Sequence, residues 1–143
     1  MSEHLLSVQQ VCDAYTELRI RVGDLMRSIT SEQALTGVPH CPQWTVKDCF
    51  AHMIGVPEDV INGQMDGVAT DAWTDRQVQR HKQDPVAELL KIWETNAPEF
   101  GKILPNIPQP VLSQFMFDQT THEHDIRAAL NKPGARDSVA VAV

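Results

Sequence analysis

Two residues suited to metal chemistry, an acid and an imidazole, stand four positions apart near the end of the sequence, at Asp118 and His122. With 3.6 residues per turn, this spacing places both side chains on one face of a helix. Val111, Phe115 and Ile126 lie on or next to that face, so we expect it to point towards the core. Burying a carboxylate and an imidazole is costly unless each has a partner, and a divalent cation is a partner for both. The pattern therefore indicates part of a metal site.

A third ligand is expected from a facing helix, and His52 is the best candidate because it flanks an apolar helical stripe. A His–Asp–His set leaves coordination positions open, as catalytic zinc sites do. Cys49 lies three residues before His52 and stays an alternative fourth ligand, although the second half of a zinc knuckle is absent. His124 projects from another side of its helix. Asp125 and Arg127 are expected to orient a ligand histidine or to have structural roles.

Both parts of this site also have simpler interpretations. Asp118 and His122 could form a hydrogen-bonded pair at the edge of the core, and His52 could be an interior histidine with a satisfied partner. The sequence lacks a serine-nucleophile motif, a phosphate-binding glycine loop and a dinucleotide-binding fingerprint. The remaining histidines lie in polar or loop contexts and carry no argument: His4, His40 and His81.

Four amphipathic helical segments, separated by prolines and glycines, must position these residues. No convincing alternating strand pattern is present between them. Four such helices with two long connections and one core predict an all-α four-helix bundle. The predicted segments are about residues 7–29, 45–61, 85–104 and 111–131.

The second segment has a defined start and one defect. Thr45 is its predicted N-cap, with Asp48 as the capping-box acid and Trp44 packing back on the first turn. Pro57 lies inside the apolar pattern and predicts a kink or one lost hydrogen bond. The prolines that precede this segment predict an irregular connection.

The stretch of residues 63–84 is polar, and its structure is ambiguous from sequence. A short helix could begin near Thr74. Arg80, His81 and Lys82 are expected to form a solvated face, because a run of charged residues usually does so.

Composition narrows the class of protein. The 143 residues, 42% of them hydrophobic, predict one domain with a core that needs neither a disulfide nor a structural metal. Nineteen acidic against twelve basic residues give a net charge of −7, so nucleic acid is not an expected partner. No apolar run approaches the roughly 18 residues of a membrane-spanning helix, so a membrane is not expected either. Without an export signal or a disulfide pattern, we expect reduced thiols and a cytoplasmic location.

Two motifs carry a resemblance to a known family. Trp44-Thr-Val-Lys-Asp48 with the following Ala51–Val60, and later Asp118–Leu130, resemble segments of the mycothiol-dependent maleylpyruvate isomerase family. That family's metal-binding domain is a DinB-like four-helix bundle. The resemblance implies a divalent site, usually zinc with nickel or iron as alternatives, held by His52, Asp118 and His122. It also implies mycothiol or a similar thiol as cosubstrate, which adds as a thiolate to an electrophilic organic substrate.

Two departures from the family pattern affect the function to be expected. Many relatives carry Glu where this chain has the shorter Asp118, and isomerases of the family usually carry a second domain after the bundle. We therefore assign residues 1–137 to the metal-binding bundle and the apolar, β-prone residues 138–143 to a tail or the start of a C-terminal domain. The activities to be considered are isomerisation and thiol S-transfer. A non-catalytic binding or dimerisation module with a structural polar network is the alternative, and a homodimer stays open.

Overall fold

The computed structural model of the protein describes residues 7–132. Within this range it has six α-helices, four long and two short, together with one two-stranded hairpin. The all-α architecture and the four predicted long helices are confirmed. The elements are α1 (Val8–Ser28), α2 (Ser31–Ala34), β1 (Gly37–Val38), β2 (Cys41–Thr45), α3 (Val46–Asn62), α4 (Asp71–Arg80), α5 (Val86–Ile103) and α6 (Val111–Leu130), with a 3-10 turn at Leu104–Asn106.

Helix α3 is the centre of the bundle. It is in contact with α4, α5, α6 and the hairpin, while α1 packs on α5 and α6. Phe50, Met53 and Ile54 of α3 are at most 1% exposed, and each such burial contributes about 1.5–3 kcal/mol of hydrophobic stabilisation. Among residues 7–132 no helix has the length and apolar character needed to cross a bilayer. The predicted tail at 138–143 lies outside the described residues.

The predicted defect at Pro57 is present, but it does not end α3, which continues to Asn62. Proline has no N–H, so it cannot donate to the carbonyl of residue 53, one turn earlier. The side-chain amide of Gln119 on α6, itself fully buried, donates to the Met53 carbonyl at 3.4 Å instead. A side chain from a neighbouring helix thus replaces the bond that the proline removes.

The start of α3 follows the prediction in one respect and departs from it in another. Thr45 and Asp48 form the predicted capping box. The Trp44 ring lies against the imidazoles of His52 and His122, at centroid distances of 5.5 and 5.6 Å. Directly before α3, β1 and β2 pair as an antiparallel hairpin, where an irregular connection was predicted.

The expected solvated face at Arg80, His81 and Lys82 is confirmed for Arg80 and Lys82, which are exposed, and is wrong for His81. His81 is 4% exposed and its ring nitrogens contact carboxylates of Glu58 and Asp84 at 2.6 and 2.8 Å. The two cations beside it also pair with acids of α3: Arg80 with Glu58 and Asp59, and Lys82 with Asp48. Ion pairs of Arg80 therefore help to attach α4 to α3, and α4 begins at Asp71 rather than near Thr74. Helical periodicity does not reveal partners of this kind.

The contacts of His81 with two carboxylates predict a pH-dependent stability. The hydrogen bond to Glu58 raises its pKa above 6.5, with a further contribution from Asp84, although burial acts in the opposite direction. Protonated His81 therefore stabilises the fold below the unfolded-state pKa, and this contribution is lost as pH rises through the higher folded-state pKa. We expect His81→Gln to lower the free energy of unfolding by about 1–2 kcal/mol at pH 6 and by clearly less at pH 8.5. Urea unfolding at both pH values measures the difference.

His40→Gln is the matched control, because His40 is exposed. Its effect on the unfolding free energy should be small at both pH values. If His81→Gln lowers the free energy of unfolding by the same amount at pH 6 and pH 8.5, the role given to the protonated ring is contradicted.

Candidate metal centre

The structure brings His52, Asp118 and His122 together. His52 comes from the middle of α3, and the other two lie one turn apart on α6. His52 Nε2 is 3.1 Å from Asp118 Oδ2, and His122 Nε2 is 3.3 Å from Asp118 Oδ1. One ligand atom from each of the three residues lies within 4.8 Å of the other two. His52 is buried, whereas the Asp118 side chain is 38% exposed. The predicted residues therefore form a cluster at the edge of the core that solvent can reach.

The protonation of His52 is fixed by a buried chain of hydrogen bonds from α4. The Gln77 amide nitrogen donates to Asp59 Oδ2 at 2.9 Å, and its oxygen lies 2.7 Å from His52 Nδ1. An ionised carboxylate only accepts, so the amide nitrogen must face Asp59 and the amide oxygen must face His52. His52 Nδ1 therefore carries a proton, and Nε2 is the atom available to a ligand or cation.

A carboxylate orients His122 in a similar way. Its Nδ1 lies 3.2 Å from Oδ2 of the buried Asp125, which accepts the Nδ1 proton and leaves Nε2 facing Asp118. A carboxylate behind a ligand histidine is a common arrangement in metal sites. Cys49 Sγ is 3.5 Å from the same Nδ1 atom. The thiol of Cys49 thus lies at the ring edge that faces away from the three-residue cluster, which does not favour it as the fourth ligand.

The electrostatics of the cluster require positive charge between its members. Burial raises the pKa of Asp118, but hydrogen bonds with His122 and His52 outweigh this effect and hold the pKa well below its usual range. Burial likewise disfavours protonated His122, yet Asp118 and Asp125 raise the pKa of the ring. Two imidazole nitrogens that face one carboxylate need either protons or a cation between them. Two histidines and one carboxylate also form a donor set that suits zinc, nickel or iron.

Two supporting residues, Gln77 and Gly55, were given no role from the sequence, although Gly55 lies in the second part of the first family motif. A Cβ on Gly55 would lie 2.5 Å from Gln77 Cβ, so only glycine at this position allows Gln77 to pack against α3. Gly55 is three residues after His52, and this spacing is the available sequence signal. No sequence signal indicated Gln77, because the secondary structure of its segment was ambiguous from sequence.

The other polar residues of α6 have structural contacts. Glu123 is fully buried and pairs with Arg21 of α1 at 2.9 Å and with Arg127 at 3.1 Å. Arg21 therefore links α1 to α6, and Arg127 pairs with the same carboxylate from within α6. His124 is half-buried and does not belong to the cluster.

His52 and Asp118 form a wall shared by two cavities. The larger one, of about 520 Å³, is lined mostly by polar residues, among them His122. Trp44, Asp71 and Asp75 contribute to its lining. All three cluster residues therefore face a space large enough for a small polar molecule.

An all-α bundle in which two histidines and an acid from facing helices converge beside an open cavity has the features of a DinB-like metal-binding domain. The chain belongs to the family described as the mycothiol maleylpyruvate isomerase N-terminal domain, whose model matches residues 15–127. This match confirms the family indicated by the two sequence motifs. Comparisons with curated proteins and with solved structures give no significant match.

The close contact at Gly55 predicts the effect of a single added methyl group. Gly55→Ala must displace Gln77, and we expect the free energy of unfolding to fall by about 1–3 kcal/mol. Gly101→Ala is the matched control, since nothing lies within 4 Å of a Cβ added there in α5. The control should leave the free energy of unfolding unchanged or raise it by up to about 1 kcal/mol, because alanine is more favourable than glycine in a helix interior. Equal unfolding midpoints for the two variants in urea would contradict the contact.

Proposed function

We propose that this domain binds one divalent cation through His52, Asp118 and His122 and activates a low-molecular-weight thiol. The observation that carries the proposal is the convergence of two imidazole Nε2 atoms on one carboxylate, with the Nδ1 protons held by Gln77 and Asp125. When bound, the cation would act as a Lewis acid that lowers the pKa of a coordinating thiol. Zinc is the proposed metal, with nickel and iron as alternatives, and mycothiol is the proposed thiol on the basis of the family.

The residues of this chain prepare the site before any ligand arrives. Gln77 and Asp125 keep both imidazoles in the tautomer that presents Nε2. The Trp44 ring packs against both imidazoles. On the open side, Asp71 and Asp75 provide oxygen atoms that can accept hydrogen bonds from the hydroxyl groups of a polar thiol.

The proposed reaction class is addition of the thiolate to an electrophilic organic molecule, followed by isomerisation or leading to S-transfer. The cavity beside the donors supports this proposal over the alternative of a non-catalytic binding or dimerisation module, because a purely structural network needs no access for a ligand. Residues 1–137 are proposed as the metal-binding domain, with residues 138–143 as a tail or the start of a C-terminal domain. A cytoplasmic location and a homodimer are further proposals, and neither nucleic acid nor a membrane is a proposed partner.

Metal analysis tests the site. We expect the wild-type chain to bind about one equivalent of zinc, and His122→Ala to bind at least about 100-fold more weakly, because losing a ligand costs more than losing a supporting residue. A chelator should also lower the melting temperature of the wild type, since a bound cation stabilises the folded state. His124→Ala is the control and should keep the wild-type zinc content. Equal zinc in both variants, or a melting temperature that a chelator does not change, would support the structural network instead.

The thiol is tested by cobalt substitution in the same samples. Adding mycothiol to the cobalt-loaded protein should produce a sulfur-to-cobalt charge-transfer band in the near ultraviolet. A band already present before the addition would identify a cysteine of the chain as a ligand and contradict the open position. The absence of a band after the addition would contradict thiol activation while leaving the metal site intact.

The role of Gln77 gives a separate prediction. Gln77→Met keeps the length of the side chain but removes the oxygen that accepts the His52 Nδ1 proton. We expect zinc affinity to fall about 10–100-fold, the range seen when a residue behind a ligand histidine is replaced. Gln79→Met, at an exposed position of the same helix, should leave the affinity unchanged. Competition titration with a chromophoric chelator measures the zinc affinity of both variants. Equal affinities would exclude a role of Gln77 in orienting His52.

A further inference from the structure

The second cavity beside His52 and Asp118 differs in character from the polar one. It has a volume of about 320 Å³ and lies between α3, α4, the segment that connects them, and the start of α6. Most of its wall is apolar, with contributions from Val56, Trp73 and Val111. The Trp73 indole nitrogen donates to the Gln64 carbonyl at 2.9 Å, so the polar atom of this ring is already satisfied.

The rim of this cavity leaves apolar surface in contact with water. Met65, Val68 and Val111 are 40%, 48% and 51% exposed. The connecting segment that carries the first two is held in a specific shape, since Ala69, which also lines the cavity, has a left-handed φ of 67°. A left-handed alanine is unfavourable by roughly 1 kcal/mol, so the surrounding structure must hold it there.

The charges around the cavity select against anions. Among the lining residues, all within the described part of the chain, there is no lysine or arginine, and Asp118 is the only carboxylate. A carboxylate in contact with the apolar wall would lose its hydration and find no lysine or arginine of the lining to pair with, so only His52 or a cation bound there could offset that cost. An uncharged molecule has neither cost and gains from covering the exposed apolar rim. A site of this volume is at the small end of the usual range and suits a body of about one ring.

We propose that this cavity binds an uncharged, largely apolar small molecule of about one ring in size and discriminates against dicarboxylates. The assignment of this small molecule as the electrophile of the thiol reaction rests on the proposed function. The binding of the molecule in the cavity does not depend on that function. The juxtaposition that carries the proposal is the shared wall, because His52 and Asp118 separate the polar cavity from the apolar one. A thiol and an apolar reactant would then approach the same two side chains from different sides. Maleylpyruvate, the dicarboxylate in the name of the family, has the opposite chemistry to this cavity.

A matched pair of unreactive probes tests the proposal on the 143-residue chain without bound metal, because a zinc ion held by His52 and Asp118 would itself attract carboxylates. Dimethyl phthalate and phthalate share one ring and differ in two negative charges. Titration followed by amide chemical shifts should show saturable binding of the ester, with the largest shifts around Val56, Trp73 and Val111. We expect phthalate to bind at least about tenfold more weakly. Equal or tighter binding of phthalate, or ester shifts that map elsewhere or do not saturate, would overturn the proposal.

Three variants separate this cavity from the rest of the protein. Val111→Trp should fill it and abolish ester binding without changing the zinc content. Val8→Trp is the control, because Val8 is also an exposed first residue of a helix and does not line the cavity. Val68→Lys adds a cation at the rim and should strengthen phthalate binding at least threefold. Ester binding that survives Val111→Trp, or phthalate binding that Val68→Lys does not strengthen, would count against the site.

The same samples distinguish failure of this proposal from failure of the proposed function. If the protein binds no zinc but binds the ester as described, the proposed metal site is contradicted and the proposed ligand of the apolar cavity is supported. If the protein binds zinc but not the ester, the proposed ligand of the cavity is contradicted and the proposed metal site is supported.

Discussion

The close approach of α4 to α3 at Gly55 is the contact on which the site depends. Without a Cβ at that position, Gln77 can reach His52 and Asp59 at the same time, which fixes the tautomer of the ring. Ion pairs of Arg80 and Lys82 with acids of α3 hold α4 in place around this contact. Since buried polar groups are costly unless each is paired, the geometry at His52 and the attachment of α4 depend on each other.

Helix α6 is attached by a different buried pairing. Glu123 lies one residue beyond His122 on the chain, and its carboxylate is fully buried between Arg21 and Arg127. Removing one partner from such a group typically costs about 3–5 kcal/mol, so the pairing resists rotation of α6. The consequence for the site is that Asp118 and His122 keep their direction towards α3, while Asp125 remains behind His122.

The sequence predicted the long helices and the three cluster residues, because both leave local signals. Apolar periodicity, the capping box at Thr45 and the spacing of Asp118 and His122 are all readable within a few residues. The hairpin before α3 and the packing of α4 against α3 were not predicted, because both depend on contacts between distant segments. His81 illustrates the difference, since a charged run in sequence gives no indication of the carboxylates that bury it. The contact of the Trp44 ring with the two imidazoles likewise joins residues that are distant in the sequence.

The hydrogen bond between Gln119 and the Met53 carbonyl has a consequence for the alignment of the two ligand-bearing helices. Met53 follows His52 directly, and Gln119 follows Asp118 directly, so this bond lies one residue from a cluster member on each helix. Sliding α6 along its axis by a single residue, a translation of about 1.5 Å, would break it. The proline that interrupts α3 thereby provides the acceptor that locks the longitudinal register between the imidazole of one helix and the carboxylate of the other.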